Sequence, residues 1–119
     1  MIGRTHRFHG YASLRYVYRH GQTVRGPLFA VKAIANPKRS GYRAAIVVSR
    51  KVNKSAVARN RIRRRLYEAI RLMEDQISQP HDIVITVFQD GVLQEPFENL
   101  SRQLRRQLVL AGVIGIRRP

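Results

Sequence analysis

One stretch of the chain concentrates the residue types that bind phosphate. It reads SRKVNKSAVARNRIRRRL from Ser49 to Leu66, and it holds eight basic residues and no acidic one. The planar guanidinium group of arginine pairs with phosphate through two hydrogen bonds and stacks on bases. A helix start adds free backbone N–H groups and the positive end of the helix dipole. The stretch is therefore a candidate site for a polyanion.

The charge of the whole 119-residue chain is concentrated in the same region. The formal net charge is +16, from 23 basic and 7 acidic side chains. Residues 1–67 carry 13 arginines, 4 lysines and no acidic residue, whereas residues 68–119 carry 6 arginines and 7 acidic residues. Folding does not require a field of one sign, so we expect a polyanionic partner, and the excess of arginine over lysine favours nucleic acid. Because the charges of residues 68–119 nearly cancel, we interpret this second half of the chain as scaffold.

The composition excludes several other kinds of site. The chain has no cysteine, which excludes disulfides, thiolate metal sites and cysteine nucleophiles. No apolar run approaches the roughly 20 residues that span a bilayer, and the N-terminus lacks an apolar signal segment. No arrangement of carboxylates or of Ser, His and Asp suggests catalysis, and the basic surroundings of His6 and His9 disfavour a metal ion over surface or nucleic-acid contacts. We therefore predict a cytoplasmic protein with no catalytic and no metal-binding residue of its own, and no membrane partner.

Hydrophobic periodicity places the basic stretch at the start of a long helix. Ser55 is the predicted N-cap, apolar residues follow with a 3.6-residue period from Ile62 to Ile77, and Pro80 ends the helix. With that apolar stripe facing inward, a rotation of about 100° per residue puts five side chains on the opposite face. These are Asn60, Arg61, Arg64, Glu68 and Arg71. Arg63 and Arg65 fall on the two flanks.

Arg59 takes a different direction, because it lies near the apolar side but one turn before the stripe begins. We expect it to reach toward the preceding loop, which carries Arg50, Lys51 and Lys54. Side chains and helix start then converge on one anion site. Asn60 has a paired donor and acceptor, which suit a base edge, a ribose hydroxyl or a local backbone group.

Shorter elements complete the predicted fold. We predict helices at Ala12–His20 and Pro96–Ala111, strands at Leu28–Ala35, Tyr42–Ser49 and Ile83–Phe88, and a minor strand near Thr23–Arg25. The turn at 36–41 makes the strands beside it a hairpin, and the apolar run at 44–48 indicates a central strand. The order α-β-β-α-β-α predicts an α+β fold, a two-layer α-β sandwich with a mixed central sheet and a long basic crossover helix. It predicts one domain over 1–119, with loose ends at about 1–5 and 115–119.

The residues around the long helix resemble a known family. The strand end VVS at 47–49, the basic pair RK at 50–51 and the segment AVARNRIRR at 56–64 are similar to the signature of the protein subunit of bacterial ribonuclease P. The resemblance extends from VYRHG at 17–21 to the last helix. It implies a noncatalytic RNA-binding subunit of a ribonucleoprotein endonuclease, which assists removal of the 5′ leader from precursor transfer RNA. It assigns the hydrolysis to the catalytic RNA with Mg²⁺, an ion bound mainly by that RNA.

The resemblance and the basic surface together select two sets of site residues. The predicted RNA-binding residues are Arg50, Lys51, Arg59, Asn60, Arg61, Arg63, Arg64 and Arg71. The predicted residues of a cleft for the single-stranded leader are Tyr18, Lys32, Val47 and Ser49. Tyr18 matches an aromatic position of the family and is placed where a base could stack, and the strand residues, with Ala45, share one sheet face if alternation holds.

The sequence departs from the family's pattern at three positions. Leu14 stands where the family often has an aromatic residue, and Lys32 stands where it commonly has Tyr. Tyr67 replaces a frequent basic residue. The cleft would therefore depend less on stacking and more on charge. The alternative that Tyr18 and Leu14 are core residues of an amphipathic helix stays open.

Two other functions fit a small basic chain. A ribosomal or ribosome-assembly protein would place the same surface on ribosomal RNA. A DNA-binding regulator is disfavoured, because a helix-turn-helix needs two helices joined by a short turn and here a strand precedes the basic helix.

Overall fold

The computed structural model describes residues 6, 8, 11–77 and 79–115, and it has three α-helices and four strands in that part of the chain. The helices are α1 (Tyr11–His20), α2 (Ala56–Met73) and α3 (Phe97–Leu110). The strands are β1 (Gln22–Arg25), β2 (Phe29–Ala35), β3 (Arg43–Val48) and β4 (His81–Val87). The predicted order of elements is confirmed. His9, the expected loose end at 1–5 and most of that at 115–119 lie outside the described residues.

The strands form one mixed sheet in the order β1-β2-β4-β3. Only the β3–β4 pair is parallel. The prediction that Tyr42–Ser49 is the hairpin partner of Leu28–Ala35 and a central strand is wrong, because β4 lies between them. Ile83, Val84 and Ile85 of β4 are all fully buried, whereas burial alternates along the edge strand β3. A local apolar run does not show which strand takes the centre, and the helical connection from β3 to β4 permits their parallel pairing.

α2 and α3 cover one face of the sheet and enclose the main core. The buried residues of α2 are those of the predicted stripe as far as Met73, namely Ile62, Leu66, Ala69, Ile70 and Met73. The prediction that this helix continues through Ile77 to Pro80 is wrong, because α2 ends at Met73 and a short 3-10 helix (Glu74–Gln76) follows. Facing the buried stripe are Phe29, Val31, Ile46, Ile83 and Ile85 of the sheet and Leu100, Leu104 and Leu108 of α3. Burying one such large side chain contributes about 1.5–3 kcal/mol. The core therefore fixes the rotation of α2, and with it the side chains that α2 presents to solvent.

α1 packs on β2 and β4 from the other face of the sheet. Val17 of α1 and Val84 of β4 are fully buried yet belong to no part of the main core. Gly21 ends α1, and its backbone N–H donates to the carbonyl of Val17 at 2.8 Å. A Cβ at Gly21 would lie 2.6 Å from that carbonyl oxygen and 3.0 Å from Cγ of Lys32. The close approach of α1 to β2 thus requires glycine at this position.

A buried ion pair fastens the start of β4 to β3. Arg43 donates to both carboxylate oxygens of Asp82, at 2.8 and 2.7 Å, and Asn36 donates to one of them at 2.9 Å. Burial by itself would raise the pKa of Asp82, but the hydrogen bonds and the charge of Arg43 hold that pKa below its usual value. Asp82 is therefore a structural carboxylate that joins three segments of the fold.

Candidate nucleic-acid interface

The basic site is built on a rigid corner between β3 and α2. The loop closes with a hydrogen bond from the Val52 N–H to the carbonyl of Ser49 at 3.1 Å. Ser55 is the N-cap, as predicted, and its Oγ accepts from the backbone N–H of Ala58 at 3.2 Å. The Ser55 N–H donates in turn to Oδ1 of Asn53 at 2.9 Å. These bonds hold the first turn of α2, which carries no acidic residue, in one orientation toward solvent.

Arg59 stabilises the loop of this corner. Its Nη1 donates to the backbone carbonyls of Asn53 and Lys54, at 3.0 and 2.9 Å. The predicted reach of Arg59 toward the loop is thus confirmed. An open depression of about 600 Å³ results, lined by Arg50, Lys51, Lys54, Ala56 and Arg59. Four positive side chains and a helix start therefore face one space that is large enough for a phosphate group. Lys54 stands in this lining, although it was not among the selected residues.

The solvent-facing side of α2 matches the helical projection. Asn60, Arg61, Arg64 and Arg71 are exposed, and Arg63 is half-buried on the flank. Nη1 of Arg63 donates to Oδ1 of Asn60 at 2.7 Å. Asn60 therefore uses its acceptor to hold a neighbouring arginine, a partner that differs from those expected, and its amide N–H groups are further donors on the exposed side of the helix.

Arg65 has a structural role, although it lies within the same run of arginines. Its guanidinium donates to the backbone carbonyls of Val92 and Glu95, the latter at 2.5 Å. These carbonyls belong to the connection that leads into α3. Arg65 therefore ties α2 to α3 and points away from the basic surface.

Arg71 is balanced by an acidic neighbour. It pairs with Glu68 one helical turn before it, with an N–O distance of 2.5 Å. The hydrogen bond from Arg71 lowers the pKa of Glu68 to about 2. Glu68 is thus ionised at neutral pH and offsets the charge of Arg71. The density of uncompensated positive charge on α2 falls off beyond Arg64.

Two of the predicted cleft residues, Tyr18 and Lys32, lie where α1 meets the sheet. Tyr18 is 40% exposed, so the alternative that it is a core residue is wrong. Nζ of Lys32 donates to the backbone carbonyl of Tyr18 and lies 5.8 Å from the centre of its ring. The register aligns Lys32 with Val84 and Val84 with Ala45. Lys32 and Ala45 therefore share the face that α1 covers, as alternation predicts.

The remaining predicted cleft residues lie farther along β3. Val47, two residues after Ala45, is half-buried on the same face. Ser49 is exposed and comes directly after the last residue of β3, so it stands at the start of the corner loop. Leu14 is half-buried on α1. The structure thus brings Tyr18 and Lys32 into contact and places Ser49 between this face and the basic corner.

Two contacts between aromatic rings were not predicted from the sequence. Tyr16 is largely exposed, and its ring centre lies 4.5 Å from that of His20 one turn later. The four-residue spacing of the two rings was the available signal. His6, expected to be a surface or nucleic-acid contact, instead stacks on the ring of Tyr42 with 4.0 Å between ring centres.

Three of the described carboxylates are engaged in structural bonds. Asp82 holds Arg43, Glu68 holds Arg71, and Glu74 accepts from the hydroxyl of Tyr42 at 2.6 Å. Within residues 6, 8, 11–77 and 79–115, no three His, Asp or Glu side chains come together as metal ligands. In the same part of the chain, no helix combines the length and apolarity that a membrane span needs.

A capped, arginine-rich helix start beside a sheet face with an exposed tyrosine defines a small nucleic-acid-binding protein of the α+β class. A family model described as Ribonuclease P matches residues 2–111. The chain therefore belongs to the ribonuclease P protein family. Its function is that of a ribonuclease P protein component, a subunit of the holoenzyme, in transfer RNA processing. This membership sets aside the ribosomal and DNA-binding alternatives.

Individual relatives and solved structures agree with that assignment. The ribonuclease P protein component of Gluconacetobacter diazotrophicus is 34% identical over 115 residues, which cover 97% of this chain and 98% of that protein. The component from a Picosynechococcus strain is 33% identical, with 94% and 95% covered. The Staphylococcus aureus RNase P protein structure superimposes with a TM-score of 0.80 at 25% identity, covering 92% of this chain and 98% of that chain. The α+β fold with its mixed sheet is thus that of the family.

Proposed function

We propose that this chain binds the catalytic RNA of ribonuclease P through the corner loop and the first three turns of α2. The observation that carries the proposal is the open depression in which Arg50, Lys51, Lys54 and Arg59 surround the capped start of α2. Like charges brought this close repel each other, and a phosphate between them turns the repulsion into attraction. The corner is therefore in the arrangement that a bound RNA backbone stabilises.

The residues of this surface take different roles. Arg61 and Arg64 are exposed, so they bind phosphate directly. Arg59 positions the loop, and Asn60 orients Arg63 toward the same side. Arg71 contributes less than the others, because Glu68 offsets its charge.

We also propose that the face between α1 and β3 binds the 5′ leader of precursor transfer RNA. Tyr18 offers an exposed ring for stacking a base, and Lys32 beside it supplies positive charge. Stacking on an aromatic ring tolerates any base, which suits leaders of different sequence. Val47 lines the floor of this face, and the Ser49 hydroxyl lies where the leader would pass toward the corner.

The hydrolysis is assigned to the catalytic RNA, with Mg²⁺ held mainly by that RNA. Mg²⁺ supplies charge neutralisation and activation of the attacking water in such phosphodiester chemistry. The carboxylates of Asp82, Glu68 and Glu74 already bind Arg43, Arg71 and Tyr42, and within residues 6, 8, 11–77 and 79–115 no three potential ligands come together, so these residues do not fit a metal site. The role of the protein is to screen phosphate repulsion and to hold the leader in register. We place the assembled particle in the cytoplasm.

The test is leader removal by a bacterial ribonuclease P RNA at low Mg²⁺, with and without the purified chain. We expect the chain to stimulate cleavage of a precursor that carries a leader, because its positive surface replaces part of the Mg²⁺ requirement. Tight binding to ribosomal RNA together with no stimulation of leader removal would refute the proposal.

A further inference from the structure

A second arginine surface lies on α3, in the half of the chain whose charges nearly cancel. All seven acidic residues of the protein lie between Glu68 and Glu98, and residues 99–119 hold five arginines and no acidic residue. The net charge of residues 68–119 is therefore small only because acidic residues in its first part offset arginines in its last part. The interpretation of the whole second half as scaffold therefore does not describe α3.

Three of these arginines form one patch on the outer side of α3. Arg102, Arg105 and Arg106 are exposed, opposite the buried leucines of the helix. Together with Val109 and Leu110 they line an open depression of about 290 Å³. We call this set the α3 patch.

The only acidic residue of α3 is Glu98, exposed one turn before Arg102, so the α3 patch carries an excess of positive charge. Nε of Arg105 donates to the neutral side-chain oxygen of Gln76 at 3.0 Å. Within the part of the chain that the structure describes, Arg102 and Arg106 form no ion pair. Arginines three and four residues apart on a helix destabilise it by about 0.2–0.5 kcal/mol per pair. The bond from Arg105 to Gln76 joins α3 to the segment after α2, but it does not offset the repulsion among the three arginines, for which a bound anion is the natural compensation.

The α3 patch is separate from the corner at the start of α2. Arg65 reaches Glu95 near the start of α3, and Arg105 reaches Gln76 just past the end of α2. The two helices therefore run side by side in the same direction. The 21 residues from Ser55 to Gln76 correspond to about 30 Å at 1.5 Å per residue. The acidic side chain of Glu68 lies on α2 between the corner at its start and the end that faces the α3 patch.

We propose that the α3 patch binds the phosphate backbone of a helical RNA segment distinct from the segment bound at the corner. This inference rests on the proposed function. Among residues 97–115 the only aromatic side chain is Phe97, half-buried at the other end of α3, so the patch has no ring on which an unpaired base would stack. Guanidinium groups without stacking partners read the backbone and the shape of a duplex. Two separate basic surfaces would let the protein bridge two helices of one folded RNA.

The test compares two double variants on bacterial ribonuclease P RNA. R102Q/R106Q removes two charges from the α3 patch. R15Q/K38Q removes two exposed charges elsewhere, from α1 and from the turn after β2, and serves as the matched control. The measurements are the affinity as a function of salt, the melting temperature, and hydroxyl-radical footprints of the RNA with each variant and with R61Q/R64Q.

We expect R102Q/R106Q to melt like the wild type and to bind about tenfold more weakly at about 0.2 M salt, with a salt slope reduced by about 1.5. It should lose protection at nucleotides other than those lost with R61Q/R64Q. Affinity and footprint equal to those of the control, with wild-type binding intact, would overturn the proposal. Unchanged RNA affinity with altered sedimentation would mark the patch as a protein interface instead. Failure of the wild type to bind would refute the proposed function itself.

Discussion

Replacing Arg61 and Arg64 together with glutamine should weaken RNA binding and leave the fold intact. Both side chains are exposed on α2 and lie opposite its buried stripe. Each phosphate contact contributes about 0.7–0.9 to the slope of log K against log salt. Loss of two contacts should lower that slope by about 1.5 and the affinity at about 0.2 M salt by roughly tenfold. Filter binding to ribonuclease P RNA over a salt series measures both quantities.

Arg65→Gln is the matched control, because it changes the same residue type in the same run. Arg65 donates to the carbonyls of Val92 and Glu95, so its loss should cost about 2 kcal/mol of stability. For a chain of this length that corresponds to a melting temperature lower by roughly 8 °C. The salt slope should stay close to the wild-type value. If R61Q/R64Q instead destabilised the fold while R65Q changed the salt slope, the assigned rotation of α2 would be wrong.

Three further substitutions test other parts of the structure. Tyr18→Ala should reduce cleavage of precursors with long leaders more than of those with minimal ones, and Tyr18→Phe should not; equal losses on both substrates would argue against stacking. The folded pKa of Asp82 is lowered, so its contribution to stability is present above the unfolded value near 4 and is lost as the pH falls below it; denaturant unfolding at about pH 6 and pH 3 should show a smaller pH effect for Asp82→Asn than for the wild type. Gly21→Ala should lower the melting temperature, because its Cβ would approach the carbonyl of Val17 to 2.6 Å; an unchanged melting temperature would mean that α1 shifts at little cost.

The sequence was sufficient for the helix that carries the site. Ser55 and the apolar period that begins at Ile62 predict the N-cap and the buried face of α2, but not its end at Met73. Because an α-helix has a fixed rotation per residue, the burial of one stripe determines which arginines point outward. The reach of Arg59 to the loop follows from the same geometry.

Features that depend on distant segments were not predictable in this way. The role of Arg65 requires the carbonyls of Val92 and Glu95, which lie 27 and 30 residues later in the chain. The central position of β4 depends on which strand is buried on both faces once all helices are packed. The charge of the second half, taken as a sum, gave no sign that its arginines collect on one side of α3. A finer count, by element, would have shown it.

The position of RNA on α2 is open to a direct measurement, because the chain contains no cysteine. Val57 is 72% exposed in the first turn of α2, and Gln79 is exposed beyond its far end. A hydroxyl-radical-generating group attached through Val57→Cys should cut bound ribonuclease P RNA at a defined set of nucleotides, and the same group attached through Gln79→Cys should leave those nucleotides uncut. Cutting from position 79 with none from position 57 would contradict the claim that the start of α2 meets the RNA.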